Sequence, residues 1–377
     1  MDGRPKHASL RRGARFWCVL IAVRLLAAQD VNFDELARRA SEAVDTHPEE
    51  AAALYGQALA LRPNWADGWL YRGASLFELG RFGEARDSFR KGVALDPGKG
   101  TPLAFLGMAE YELGDYRQSL SDILQGEAIG LADRPAFVGE VRCRAALIYL
   151  RFADFGPALE QLRPLTSRGI KSPGATEALG LSVLNLYFLP STLPEDRQTL
   201  VDLAGRAAWA LLAGHPDESR PLLKQLVEQF PNEPGVHYLN GVFLVAQDVQ
   251  AAEREFRAEL LITPSHVLAR VQLAQLLGKS GDTAAAVRLA GEAVRLEPAN
   301  ALCHVTLGHA LLSAGRTSEA IAALEKGESL SPQTAKTHFY LVQAYRRAGR
   351  TADALREKAA WERLHAEKEP TVSLFSP

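Results

Sequence analysis

Pro231, Pro264, Pro298 and Pro332 are separated by 33, 34 and 34 residues, and Pro63 and Pro97 by 34. Nothing else in the chain limits its fold as tightly. A fixed period of this length means a repeated supersecondary unit, not one core folded around a cleft. Each such unit buries its apolar face by stacking on the next. The chain is therefore expected to be an array whose exposed faces are open to other molecules.

The clearest unit runs from Ala66 to Lys99. It contains Trp69-Leu70-Tyr71-Arg72-Gly73, Leu79-Gly80-Arg81-Phe82, Glu84-Ala85, Phe89 and Asp96-Pro97. Apolar residues at helical spacing predict two amphipathic helices, over Ala66 to Leu79 and Phe82 to Asp96. Gly80 closes the first cheaply in a left-handed conformation, and Pro97 stops the second. Gly73 and Ala85 are small where two backbones must approach, with Trp69 and Phe89 filling the space beside them. Trp at the fourth position, Gly at the eighth, Ala at the twentieth, Phe at the twenty-fourth and Pro at the thirty-second resemble the tetratricopeptide repeat (TPR). Arg72 departs from the family's usual Leu, which Leu106-Gly107, Leu273-Ala274 and Leu307-Gly308 restore.

The same register places units at 32–65, 66–99, 100–133, 139–172, 200–233, 234–266, 267–300, 301–334 and 335–367. The inter-helix turn recurs as Gly80-Arg81, Gly114-Asp115, Gly281-Asp282, Gly315-Arg316 and Gly349-Arg350. The small twentieth residue recurs as Ala51, Ala85, Ser119, Ala158, Ser219, Ala286, Ala320 and Ala354. The resemblance implies an all-α, right-handed TPR superhelix (α-solenoid) of about nine helix-turn-helix repeats. Its expected divisions are a signal peptide at 1–28, an N-terminal block of about four repeats at 29–172 with the last degenerate, and an inserted helix and Pro-rich linker at 173–199. A C-terminal block of about five repeats at 200–367 and a loose tail at 368–377 follow. Within the linker a helix is predicted from Ala175 to Phe188, before Pro190 and Pro194. The last helix, Thr351 to Glu367, carries Arg356, Glu357 and Lys358 as expected for a solvated cap.

The N-terminus has the composition of an address label. Arg4, Lys6, Arg11, Arg12 and Arg15 precede an apolar run from Phe16 to Ala28, interrupted by Arg24. A basic start, a short apolar stretch and small residues before a polar segment suit a secretory signal, so export to the periplasm or beyond is expected over a cytoplasmic location. Residues 29–377 hold 37 basic and 44 acidic side chains. A net-acidic array is a poor phosphate binder, which argues against nucleic acid as partner. Cys143 and Cys303 fall on first helices of distant units, beyond disulfide reach, and are expected as small packing residues.

Catalytic and metal spacings are missing. His304 and His309 are five apart and face different sides of a helix, unlike a zinc pair. Cys303 and His304 are adjacent on a helix and diverge by about 100°. His237, His304 and His338 share the fourth position with Trp69 and are expected to pack between helices, with a polar edge to solvent. No Gly-rich phosphate loop, Cys-x-x-Cys pair or nucleophile elbow occurs. The Gly-Asp dipeptides at 114–115 and 281–282 read as turns. Glu and Asp are expected on solvated outer faces, Glu325 among them. No enzyme activity, metal or cofactor is expected.

What remains is binding. The resemblance implies a concave groove lined by first helices, through positions two, five, six, nine, twelve and thirteen of each repeat. The N-terminal units then present Asp67, Leu70, Tyr71, Phe77, Glu78, Phe105, Met108, Tyr111 and Glu112. The C-terminal units present Gln272, Gln275, Lys279, His309, Lys336, Phe339, Tyr340, Gln343, Arg346 and Arg347. Position five holds apolar, small or aromatic residues throughout, unlike the TPR subtype that clamps acidic C-terminal peptides. A protein or peptide partner with apolar anchors is expected in the N-terminal groove; Tyr71, Phe77 and Tyr111 serve equally well as packing between first helices. The alternatives to a free scaffold are a constitutive subunit or assembly factor of a membrane-associated envelope complex, and a regulatory or recruiting component of a separate enzyme.

Overall fold

A computed structural model describes residues 32–186 and 192–366. The proposed signal segment, residues 187–191 of the linker with Pro190, and the tail lie outside the described residues. Among those described, every regular element is a helix and none is a strand. The chain divides into two compact units, Met1–Ile148 and Tyr149–Pro377.

The first unit holds α1 (32–43), α2 (Pro48–Leu61), α3 (Ala66–Glu78), α4 (Phe82–Leu95), α5 (Gly100–Glu112), α6 (Tyr116–Ile129) and most of α7 (Pro135–Arg151). The second begins at the end of α7. It continues with α8 (Phe155–Ser167), α9 (Ala175–Val183), α10 (Glu195–Leu212), α11 (Pro216–Gln229), α12 (Val236–Leu244) and α13 (Val249–Ile262). It then runs through α14 (Val267–Ser280), α15 (Thr283–Leu296), α16 (Ala301–Ser313), α17 (Thr317–Leu330), α18 (Ala335–Arg347) and α19 (Thr351–Ala366). Successive helices pack as pairs, with α3 on α4, α5 on α6, α14 on α15, α16 on α17 and α18 on α19. Each unit is an all-α stack of paired helices.

Small residues sit where the sequence places close crossings. Ala51, Ala85, Ser119, Ala158, Ser219, Ala286 and Ala320 have no exposed surface, and Ala354 almost none. The eighth-position glycines explain why. A Cβ on Gly308 would lie 2.5 Å from Leu324 Cγ, and one on Gly73 2.5 Å from the Phe89 ring, distances no side chain tolerates. Two of the small residues also bond across the crossing. Ser119 Oγ donates to the Gly107 carbonyl at 2.7 Å, and Ser219 Oγ to Ala207 at 3.0 Å. In the 234–266 unit, whose period is one residue shorter, Ala252 takes this buried place.

The turn between paired helices is left-handed, as the glycines predict: Gly80, Gly114, Gly281, Gly315 and Gly349 have φ between 70° and 96°. In the turns after α7 and α9 there is no glycine, and Ala153 (φ 59°) and Asn185 (φ 52°) adopt the same conformation. Asn185 accounts for a departure from expectation. The helix that begins at Ala175 ends at Val183, not Phe188, because the chain turns left-handed two residues later. That helix pairs with the one that follows it. Its Gly180 lies against α10, where an added Cβ would meet the Val201 carbonyl oxygen at 2.1 Å.

Candidate functional site

In the first unit, the expected groove aromatics are engaged with one another. Tyr71 stacks on Tyr55 at 5.7 Å, and Phe105 lies between Phe89 at 5.3 Å and Phe137 at 4.5 Å. Phe77 meets Phe82 edge-on at 5.2 Å, and Tyr111 meets Tyr116 at 5.5 Å. The Arg144 guanidinium lies 5.7 Å from the Phe77 ring and 5.8 Å from Tyr111. Leu70 is half-buried against the core of α3 and α4. Met108 is a correction to the groove reading. It is 1% exposed and packs with Val141, Ala145 and Ile148 of α7, which covers its face of α5. Of the six N-terminal residues only Tyr71 is substantially exposed, at 41%.

The second unit contains a cavity of about 790 Å³ along α14, α16, α18 and α19. Six of the ten residues expected in the C-terminal groove line it, Gln275, Lys279, His309, Lys336, Phe339 and Tyr340; Gln272, Gln343, Arg346 and Arg347 do not. His309 stacks on Tyr340 at 4.4 Å, and Phe339 reaches Trp361 at 6.1 Å. Burial and the two lysines hold the His309 pKa below its ordinary value, so the ring is neutral at pH 7. Burial and Lys279 likewise lower Lys336. Thr306, Trp361 and His365 line the cavity without having been anticipated. The two aromatics come from the last second helix, which the groove rule ignores.

The fourth-position rings have a definite role. Trp69 Nε1 donates to the Pro63 carbonyl at 2.9 Å. His237, His304 and His338 place Nε2 at 2.8 to 2.9 Å from the carbonyls of Pro231, Pro298 and Pro332. A carbonyl only accepts, so Nε2 carries the proton. His304 therefore spends its ring nitrogen on backbone beside Cys303, whose thiol burial pushes up to about 12. His338 corrects the expected solvent edge: it is 4% exposed, with Nδ1 at 2.8 Å from Glu357 Oε2.

Buried carboxylates also correct the outer-face reading. Glu259 has no exposed surface and accepts from the Gly235 and Tyr238 amides at 2.9 to 3.2 Å, capping the N-terminus of α12 from α13. Glu110 and Asp122 share a buried site on α5 and α6. Glu357, expected to be solvated, is 2% exposed. Glu325 accepts from the Tyr345 hydroxyl at 2.8 Å. Glu328, His338 and Glu357 bring ligand-type atoms within 4.8 Å of one another and could hold a metal. Their geometry is already accounted for by the His338–Glu357 hydrogen bond and by Arg356 Nε, 3.0 Å from the other Glu357 oxygen.

Comparison with known proteins follows the same lines. Residues 35–99 and 279–335 each match a tetratricopeptide repeat family. A 94-residue stretch is 36% identical to the probable biofilm formation methyltransferase WspC of Pseudomonas putida strain KT2440, covering 25% of this chain and 22% of that protein. The chain thus spans about a fifth of that relative's length. Among solved structures, MamA 41-end from Desulfovibrio magneticus RS-1 is 23% identical with a TM-score of 0.41, over 46% of this chain and 98% of that one. The MamA RS-1 ArsTM double mutant is 24% identical with a TM-score of 0.40, over 45% and 96%. The matched repeats, the prolines at fixed period and the paired helices with their buried small residues lead to one conclusion: the chain carries tetratricopeptide repeats, and these support a role in protein–protein interaction.

Proposed function

We propose that the chain is a non-catalytic scaffold that seats a peptide or protein segment in the cavity along α14, α16, α18 and α19. The observation that carries this reading is the cavity itself. It is large enough for several side chains, and aromatic walls and a few convergent polar groups are what a binding pocket requires. The N-terminal aromatics are already paired within their own unit, so they serve chiefly as packing. Panning a random octapeptide display library on the full chain tests the reading, with a Tyr340→Ala variant as counter-screen. Peptides that bind the parent and lose affinity for the folded variant support it. Peptides that bind both equally place recognition elsewhere.

Export remains part of the proposal, on the basic and apolar composition of residues 4–28. A reporter active only outside the cytoplasm, fused after residue 28, should be active; an inactive but expressed fusion removes export. In that setting the partner belongs to an envelope complex. A second reading, a recruiting component of a separate enzyme, draws on the similarity of one stretch to a protein titled a methyltransferase.

A further inference from the structure

Five aromatic rings follow one another across the C-terminal cavity. His309 of α16 stacks on Tyr340 of α18 at 4.4 Å, and Tyr340 meets Phe339 at 5.5 Å. Phe339 reaches Trp361 of α19 at 6.1 Å, and Trp361 stacks on His365 at 5.3 Å. All five line the cavity. The run is not sealed by the fold, since Phe339 keeps 44% of its surface exposed. An open aromatic face of this kind gains most from an apolar cover.

The run ends where α19 ends. His365 directly precedes Ala366, the last residue of α19, and residues 367–377 follow in the sequence. That segment carries Val372, Leu374 and Phe375. Phe375 is nine residues beyond Ala366, a reach of up to about 30 Å. Packed helix axes lie about 8–10 Å apart, so this reach passes α18 and arrives at α16. An apolar group tethered so near its site has an effective concentration on the order of 1 mM. A contact too weak to hold separate molecules together is then enough to fill the cavity from within the chain, whereas a second copy would need millimolar protein to compete.

We propose that the chain's own Leu374 and Phe375 occupy this cavity, with Phe375 against Phe339 and Trp361, and that the segment is an internal competitor of the partner. This rests on the reading of the cavity as the peptide site, and adds its regulation. A partner binds by displacing the segment, so its apparent affinity falls by the fraction of chains whose cavity is filled. With about 1 mM of tethered segment against an intrinsic dissociation constant of a few hundred micromolar, the fall is about three- to tenfold. Weak apolar peptides are excluded by that margin, and a partner with a larger or better-placed anchor is admitted.

Two measurements on the full chain test this. With the photocrosslinker p-benzoylphenylalanine in place of Phe375, irradiation of dilute protein should join residue 375 to residues 301–313, 335–347 or 351–366 of the same chain. Crosslinks confined to other segments, or only to a second copy, would overturn the proposal. In the other measurement, fluorescence anisotropy follows a labelled synthetic peptide of residues 367–377. It should bind a Leu374→Ser, Phe375→Ser double variant about three- to tenfold more tightly than the parent, whose own segment competes. Adding Tyr340→Ala to the double variant should weaken that binding. Equal affinity for parent and double variant, or binding to neither, would overturn the competition. Panned octapeptides separate this result from the reading it rests on. Octapeptides that need Tyr340 yet bind parent and double variant alike would leave the peptide site standing and remove the internal competitor. The crosslink formed without any selectable octapeptide would leave the segment in the cavity and overturn its role against a partner.

Discussion

The indole N–H of Trp69 donates to the carbonyl of Pro63 at 2.9 Å, and in three later units a histidine does the same to the proline six residues before it. One bond thus ties the start of a unit's first helix to the turn that ends the previous unit. Proline terminates one helix and leaves a carbonyl unpaired within the helix; the fourth-position ring supplies the donor. Tryptophan and histidine are interchangeable here because each offers a flat ring with an N–H.

His304→Phe keeps the ring and removes that donor. The Pro298 carbonyl then loses its partner, at a cost of about 0.5–1.5 kcal/mol. Urea denaturation of the full chain should show a lowered midpoint. An unchanged midpoint would mean that water replaces the imidazole at no cost.

His237 gives one such bond a pH dependence. Its Nδ1 lies 2.5 Å from Glu255 Oε2 while Nε2 faces the Pro231 carbonyl. Chiefly through the hydrogen bond to Glu255, its pKa is raised above 6.5. Below 6.5 the ring is protonated in both states and its stabilisation is fully present. As pH rises through 6.5 the unfolded chain releases its proton first, and the stabilisation is lost as pH passes through the higher folded value. Stability measured from pH 5.5 to 9 should therefore contain a decline that His237→Gln removes.

Glu110 behaves in the opposite chemical sense with the same slope. Burial and the neighbouring Asp122 push its carboxyl up to about 7, against 4.5 when solvated. Between these values the unfolded chain gives up a proton that the folded chain retains, so stability falls as pH rises and the full cost is present above 7. Arg90, 3.5 Å away, offsets part of it. Glu110→Gln preserves a hydrogen bond to Asp122 without the second charge. It should stabilise the chain at pH 8 by on the order of 1 kcal/mol and change little at pH 4.5. Destabilisation at pH 8 would show that the ionised carboxylate is needed.

The close crossings can be tested by one substitution made twice on α17. Ala320 has no exposed surface, and its carbonyl oxygen sits 3.2 Å from where a Gly308 Cβ would be. Ala322 is exposed on the same helix. Ala320→Leu should overpack the crossing and cost roughly 1–3 kcal/mol, whereas Ala322→Leu should lie within about 0.5 kcal/mol of the parent. Thermal melts giving equal shifts would mean that the α16–α17 contact is looser than described. Glu325, though on the outer side of that helix, is a poor control, since its removal strands the Tyr345 hydroxyl.

The sequence made the fold legible wherever a feature recurs in register. Proline spacing, left-handed turn glycines and buried small residues are each demanded once per unit, so one instance predicts the next. It failed where one contact replaces the rule. Asn185 ends α9 early without a glycine, and α7 covers Met108 although its register equivalents Gln275 and His309 line the cavity. Site residues on first helices, Gln275, His309 and Tyr340, followed from the same register. Trp361 and His365 did not, because α19 reaches the cavity from the second-helix side. Buried carboxylates were also illegible, since a charge on a helix reads as solvated until its partner in another helix is known.

The most direct test of the account is hydrogen–deuterium exchange on the full chain with and without a saturating panned peptide. Binding in the C-terminal cavity predicts added protection in residues 267–280, 301–313 and 335–347, with residues 66–129 unchanged. Protection concentrated in 66–129, with none along α14, α16 and α18, would contradict it and return the partner to the N-terminal aromatics.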